Sequence, residues 1–147
     1  MTHQIAAVSA QEILDSRSRP TLSVAVDLVG GAAGTAGVPS GASTGSREAV
    51  ELRDGDPGRF GGEGVLGAVA NVNGEIATAL DGRSFECLAD LDRALCDLDG
   101  TDTKGRLGAN AIVGVSMAAA RAMATADQVH LHEWLAPAGV QPRLPVP

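Results

Sequence analysis

The chain has 147 residues, 44% of them hydrophobic and 20% charged, and its 18 acidic against 11 basic side chains give a net charge of -7. That length and balance suit one acidic soluble domain able to bury roughly two-thirds of the surface its unfolded chain exposes. They argue against a nucleic-acid partner, which needs a basic face to neutralise phosphates, and no Lys/Arg run occurs anywhere. No stretch offers the roughly 18 uninterrupted apolar residues of a membrane span, and Met1 to Ala10 lack the basic and long apolar regions of a signal peptide. A cytoplasmic protein is expected.

Ile5 to Leu14 are mixed and β-compatible. Leu22, Val24, Val26 and Leu28 alternate strictly, which predicts a half-buried strand, with Pro20 before it and Gly30-Gly31 after it as turn signals. A weaker strand, Gly34 to Val38, follows at hairpin distance. Three antiparallel strands are therefore expected first, with only helices and loops after them. A Gly/Ser loop runs through Gly45, a short polar helical stretch is expected around Glu48 to Arg53, and Asp54 to Gly64 is too rich in Gly and Pro to be regular.

Val65, Val69, Val72, Ile76 and Leu80 recur at steps of three and four, as one face of a helix does, and Leu88, Leu91, Leu95 and Leu98 repeat the pattern. Ala109 to Ala126 is nearly all apolar or small, so it predicts a helix enclosed on most sides. A short helix around His130 to Leu135 leads into a tail with Pro137, Pro142, Pro145 and Pro147, the composition of a linker. Cys87 and Cys96 stand too far apart along one helix to pair within it. His3, His130 and His132 sit at the two ends of the chain without the ligand spacing of a zinc site, and the last two read as exposed polar residues.

Ser40, Gly41, Ala42, Ser43, Thr44 and Gly45 allow two readings. Gly41 and Gly45 permit backbone conformations other residues resist, and Ala42 is small enough for a ligand to approach, so the segment suits a hinged lid. Equally, its serines suit the capping of a following helix. A Walker-type phosphate loop is rejected, because the Gly-Lys-Ser/Thr is missing. Asp15 to Arg17 reads as a strand-end turn carrying a solvated ion pair.

Four blocks in order carry a resemblance: EILDSRSRPTLSV at Glu12 to Val24, VPSGASTGSREAVELRDGD at Val38 to Asp56, GEGVLGAVANVN at Gly62 to Asn73, and LDGTDTKGRLGANAIVGVSMAAARA at Leu98 to Ala122. With the closing LPVP at Leu144 to Pro147, the chain resembles the amino-terminal domain of enolase, phosphopyruvate hydratase. The resemblance implies an α+β fold, a three-stranded antiparallel sheet followed by a helical bundle, with residues 1–136 as the lid or capping domain and 137–147 as a linker toward a barrel.

In that family the barrel supplies the lysine base, the glutamate acid and the carboxylate ligands of the first Mg²⁺, so no catalytic residue is expected in this chain. The implied reaction is the glycolytic interconversion of 2-phosphoglycerate and phosphoenolpyruvate by a carbon-oxygen lyase, and the chain alone is expected to be inactive. The resemblance makes Ser40 to Gly45 the substrate lid, Ser43 a ligand of the second, substrate-dependent Mg²⁺, and Arg17 a contact in a homodimer. Rival readings are a stand-alone, non-catalytic interaction module descended from a truncated enolase, or part of a paralogue acting on a related phosphono-carboxylate.

Departures from the family pattern lie outside the lid. Ser18 and Arg19 stand where Gly and Asn are usual, so the turn before Pro20 is expected to be built differently. Gln11 and Thr35 replace arginines, Glu63 replaces the Lys of Gly-Lys-Gly-Val, Leu88 replaces Gln, and Thr103 replaces Asn.

Overall fold

A computed structural model describes residues 2–41, 45, 48–137, 139, 140 and 143. The fold is α+β, with strands β1 (His3–Leu14), β2 (Pro20–Leu28) and β3 (Ala33–Gly37) in consecutive antiparallel pairing. Opposed pairs such as Val8 with Val26 and Val24 with Ala36 set the register. Ile5 and Val8 are both buried although three residues apart, and the bulge between Ile5 and Ala7 is what reverses the alternation so that both reach the core.

The sheet has a fourth strand that the alternation did not predict. β4 (Ser84–Phe85) pairs antiparallel with His3 and Gln4, giving the order β3-β2-β1-β4. Two residues are too short to alternate visibly, and the strand exists because a turn at Gly82, with φ 68°, delivers buried Phe85 to the edge of β1.

Residues 65–80 form one interrupted helical rod: α1 (Leu66–Asn71), a π turn (Val72–Ile76) and α2 (Ala77–Leu80). Its buried stripe is Val65, Ala68, Val72, Ile76 and Leu80, with Val69 only half-buried beside it. Steps of four overshoot an α-helical turn of about 3.6 residues, and the wider π turn takes up the excess so that the stripe stays on one side. α3 (Leu88–Asp99) buries Leu91 and Leu95 and stops at Gly100, whose φ of 70° is the left-handed cap that glycine adopts without penalty.

α4 (Ala109–Ala126) lies across β2 and β3 as the enclosed helix expected from its composition. Ala111, Val115, Ala118, Ala119 and Ala122 are buried against Leu22, Val24 and Val26 in one core. The approach is close: a Cβ at Gly114 would meet Val24 at 2.6 Å and Val38 at 2.8 Å, and one at Gly34 would run into the backbone of Ala118 and Ala122. Small residues thus bring helix and sheet together in a core with few aromatic side chains. α5 (Leu131–Trp134) closes the described helices.

The polar helix expected around Glu48 to Arg53 does not form; that segment has no regular secondary structure. Its backbone is claimed by neighbours: the Val50 amide donates to Thr103 at 2.7 Å, the Ala109 amide to Val50 at 2.8 Å, and the Asn110 side chain pairs with both the amide and carbonyl of Leu52 at 3.1 Å. A buried asparagine amide acts here as a strand would, and local propensity gives way to it.

His3, read only as a terminal histidine, is buried, and its Nε2 lies 3.0 Å from Asp127, whose other oxygen accepts the Trp134 indole N–H at 2.9 Å. Burial pushes the Asp127 carboxyl up, but the hydrogen bonds from Trp134 and His3 more than offset this and leave it below the ordinary range. His130 and His132 are exposed as expected, with their rings stacked at 5.7 Å. Cys87 and Cys96 are free thiols.

Candidate functional site

At the end of β3 the Val38 amide donates to Leu22 at 2.8 Å, and the buried Thr21 hydroxyl donates to Val38 at 2.7 Å. The chain therefore leaves the sheet at Pro39 from a fixed position. Ser40 comes next, and two arginines from different elements hold it. Arg17 donates to the Ser40 carbonyl at 3.0 Å, and Arg53 donates to the Ser40 hydroxyl at 2.9 Å.

The turn between β1 and β2 aims Arg17. One Asp15 carboxylate oxygen accepts the amides of Arg17 and Arg19 at 2.8 and 2.9 Å, and the Asp15 amide donates to the Arg19 carbonyl. The Arg19 amide, against the opposing pull of burial, and then the Arg17 amide hold the Asp15 carboxyl below its ordinary value. Ser18, where the resembled family has Gly, sits at φ 59°, a left-handed conformation adopted here without glycine. Arg19 and Glu63 approach to 3.8 Å with both side chains about half exposed. Two departures from the family pattern thus meet as an opposite-charge pair.

Arg53 is a hub. Its Nη1 donates to the Pro20 carbonyl at 2.7 Å and the Glu63 carbonyl at 2.6 Å, and its Nη2 to Glu51 at 2.6 Å as well as to Ser40. Beside it, Glu12 accepts both ends of the Arg59 guanidinium and the Val65 amide, while Asp54 accepts the Leu66 and Gly67 amides at 3.0 and 2.8 Å and caps α1 from a distance. The Arg59 bond holds the Glu12 carboxyl below its ordinary value despite burial, with the Val65 amide adding to it. Sequence reasoning missed Glu12, Arg53 and Asp54 as individuals; the available signal was the dense Glu-Leu-Arg-Asp-Gly-Asp run directly after a Gly/Ser loop.

Ser40, Gly41 and Gly45 line a groove of about 720 Å³ with Arg19, Glu48, Glu51, Arg53, Asn110 and the exposed Val113. The Gly45 carbonyl accepts the Glu48 amide at 3.1 Å, a local turn at the far side of the loop. Ala42, Ser43 and Thr44, the middle of the expected lid, lie outside the described residues, as do Ser46 and Arg47. The structure therefore brings Ser40, Gly41, Gly45 and Arg17 to one place. Arg17 is engaged within its own chain through Ser40 and Asp15.

The groove presents the Ser40 hydroxyl and the Glu48 and Glu51 carboxylates, oxygen donors of the kind a hard cation takes. Among the described residues no three His, Cys, Asp or Glu gather closely enough to hold a metal ion.

The family profile described as Enolase, N-terminal domain, matches residues 5–135. A curated relative, the enolase of Rubrobacter xylanophilus, is 56% identical over 144 residues, which cover 98% of this chain and 33% of that protein. The chain spans about one third of the relative it matches.

Proposed function

The chain belongs to the enolase family as its amino-terminal domain, and from that premise we propose that it is the lid or capping domain of an enolase-type lyase. The reaction is the glycolytic interconversion of 2-phosphoglycerate and phosphoenolpyruvate. Residues 1–136 form the cap and 137–147 lead toward a barrel domain, the partner that carries the acid–base groups. Such an enzyme works in the cytoplasm as a homodimer, with Arg17 at the subunit contact; no helix among the described residues is long and apolar enough to cross a membrane.

The observation that carries this reading is the hold of two arginines on Ser40 at the rim of a groove that Gly41 and Gly45 also line. A segment held at Ser40 and glycine-bearing at Gly41 and Gly45 suits a lid that closes over a ligand and excludes water. Ser43, in its middle, would hold the second Mg²⁺ through its hydroxyl and carbonyl oxygens. When bound, that cation would stabilise the negative charge that develops as a proton leaves carbon beside a carboxylate.

Purified chain alone is expected to give no turnover of 2-phosphoglycerate at any Mg²⁺ concentration, and addition of a family barrel domain, fused or separate, to restore it. In that assembly Ser43→Ala should lower kcat by a factor on the order of 100 or more, the scale of losing one electrostatic contact to a transition state. Melting temperature should barely move, and Ser46→Ala should change neither. Unchanged kinetics with a lowered melting temperature for Ser43→Ala would return the loop to a structural role. Failure of every barrel to restore turnover would favour a stand-alone interaction module.

A further inference from the structure

The two edges of the sheet are finished differently. Beyond β1, β4 pairs with His3 and Gln4, the Ile5 amide donates to the Arg83 carbonyl at 2.9 Å, and the Asn73 side chain meets both the amide and the carbonyl of Ala10, at 2.7 and 2.9 Å. Little of that edge is left to pair. β3 is the opposite edge, and among the described residues no strand lies beyond it.

The ladder fixes which of its backbone groups are free. The Val38 amide donates to Leu22 and the Leu28 amide to Ala32, and Gly34 and Ala36 fall on the same alternate series, opposite Val26 and Val24. In antiparallel pairing the residues in between turn their N–H and C=O groups away from the partner strand, so Ala33, Thr35 and Gly37 present theirs outward. All three are small and exposed, no register shift interrupts the pairing, and the strand contains no proline or charged residue. Thr35 itself stands where the resembled family has an arginine. Natural edges are ordinarily blunted by such residues, and this one is left open.

A groove of about 380 Å³ runs beside this edge, where Thr35 faces Arg121 and Thr125 of α4 and then Val129, His130 and Leu131. No residue lining it is acidic, although the chain carries a net charge of -7. Arg121 is exposed, and no ion pair among the described residues uses it. It stands about 16 Å by helical rise from Asn110, which lines the groove at Ser40, so the two grooves are separate. We propose that the β3 edge is a docking site for an extended segment of another protein, which adds as a further strand and carries a carboxylate for Arg121. Main-chain bonds to Ala33, Thr35 and Gly37 hold the segment, and paired bonds from the guanidinium to the carboxylate select it. A second copy of the chain fits the edge less well. Pairing β3 with itself about a two-fold axis puts both Arg121 side chains on one face of the joined sheet, like charge toward like, between two bodies that each carry -7.

The probe is the end-blocked peptide Thr-Val-Thr-Glu-Thr-Val-Thr, titrated into the 147-residue chain and followed by backbone amide shifts. The Ala33, Thr35 and Gly37 amides are expected to move, and exchanging the peptide's Glu for Gln to weaken binding about tenfold at low salt. Arg121→Gln should weaken the Glu peptide by the same factor and leave the Gln peptide unchanged. Thr35→Pro removes an outward N–H and no ladder bond, so both peptides should stop binding while the melting temperature holds. Arg121→Gln, on an exposed helix position, decides the matter without altering the strand. Shifts confined to residues away from β3, or equal binding by Thr35→Pro, would overturn the proposal. Equal affinity for the Glu and Gln peptides would overturn the acidic occupant. A chain that sediments as a dimer, and as a monomer in Thr35→Pro, would give the edge to a second copy instead. Loss of the peptide shifts on adding a family barrel domain would give it to the barrel, and overturn the proposal equally.

Discussion

The face where α4 crosses the sheet and the segment from Val38 to Gly64 are built by opposite means. The first is held by apolar contact alone: Leu22, Val24, Val26, Val115 and Ala118 are fully or almost fully buried, and Gly34 and Gly114 allow the backbones to approach. The second contains little regular structure and is held by charged groups, with Arg53 and Arg59 reaching carbonyls and carboxylates and Asp54 and Glu12 receiving the amides that start α1. Irregular chain has no ladder to satisfy its polar groups, so side chains such as Arg53 and Asn110 add to its scattered backbone bonds. The packed face supplies stability, and the polar segment holds Ser40, where the chain leaves the sheet, without burying it.

The sharpest way to break the packed face is Gly34→Ala. Its methyl would collide with the Ala118 carbonyl and the Ala122 amide, both backbone of α4, so helix and strand must separate. A loss of about 3 kcal/mol or more is expected, at or beyond the usual range for overpacking, and urea unfolding would measure it. A loss under about 1 kcal/mol would mean the helix gives way easily and the contact is looser than described.

Arg53→Met tests the polar segment. It leaves the Pro20 and Glu63 carbonyls without their donor and should cost about 2 kcal/mol, less than Gly34→Ala because the site is partly open to water. Amide exchange should rise in residues 48–64 and stay unchanged in α4. Equal loosening of both regions would erase the distinction drawn between them.

Acid should separate the regions further. Glu12 and Asp99 have carboxyls held below their ordinary values, Glu12 chiefly by Arg59. For Asp99, burial pushes up but the Thr101 hydroxyl and the Leu107 and Thr101 amides outweigh it. A group depressed in the folded state stabilises above its unfolded value and loses that contribution as pH falls through the folded one. Stability should therefore decline as pH drops below the ordinary glutamate value of 4.5, and Glu12→Gln should flatten that decline while costing about 1.5 kcal/mol at neutral pH. Denaturant midpoints from pH 7 to pH 3 give the slope; an unaltered slope in Glu12→Gln would remove the carboxylate from the account.

The smallest effect is a gain. Ser18 holds φ 59° in the turn that carries Arg17, a conformation costing most residues about 1–2 kcal/mol. Ser18→Gly relieves this but frees the unfolded chain, so a net stabilisation of about 0.5 kcal/mol is expected by thermal melting. A loss would show that the serine side chain contributes something that its backbone strain conceals.

Where side chains repeat, the residues alone were sufficient. The alternation Leu22 to Leu28 and the stripes ending at Leu80 and Leu98 specified β2, the α1 rod and α3, and the composition of Ala109 to Ala126 specified α4 to its terminal residues, because burial on one face imposes a period that survives in the letters. Family resemblance located the loop from Ser40 to Gly45 but not what holds it. Contacts between distant, aperiodic residues were decided only by the folded chain: β4 docking on His3 and Gln4, Asn110 drawing Leu52 out of a helix, and Arg53 meeting Pro20, Glu63 and Ser40 at once. A polar side chain reveals its charge in the sequence, but its partner is chosen by geometry, and geometry is set by the apolar core that packs around it.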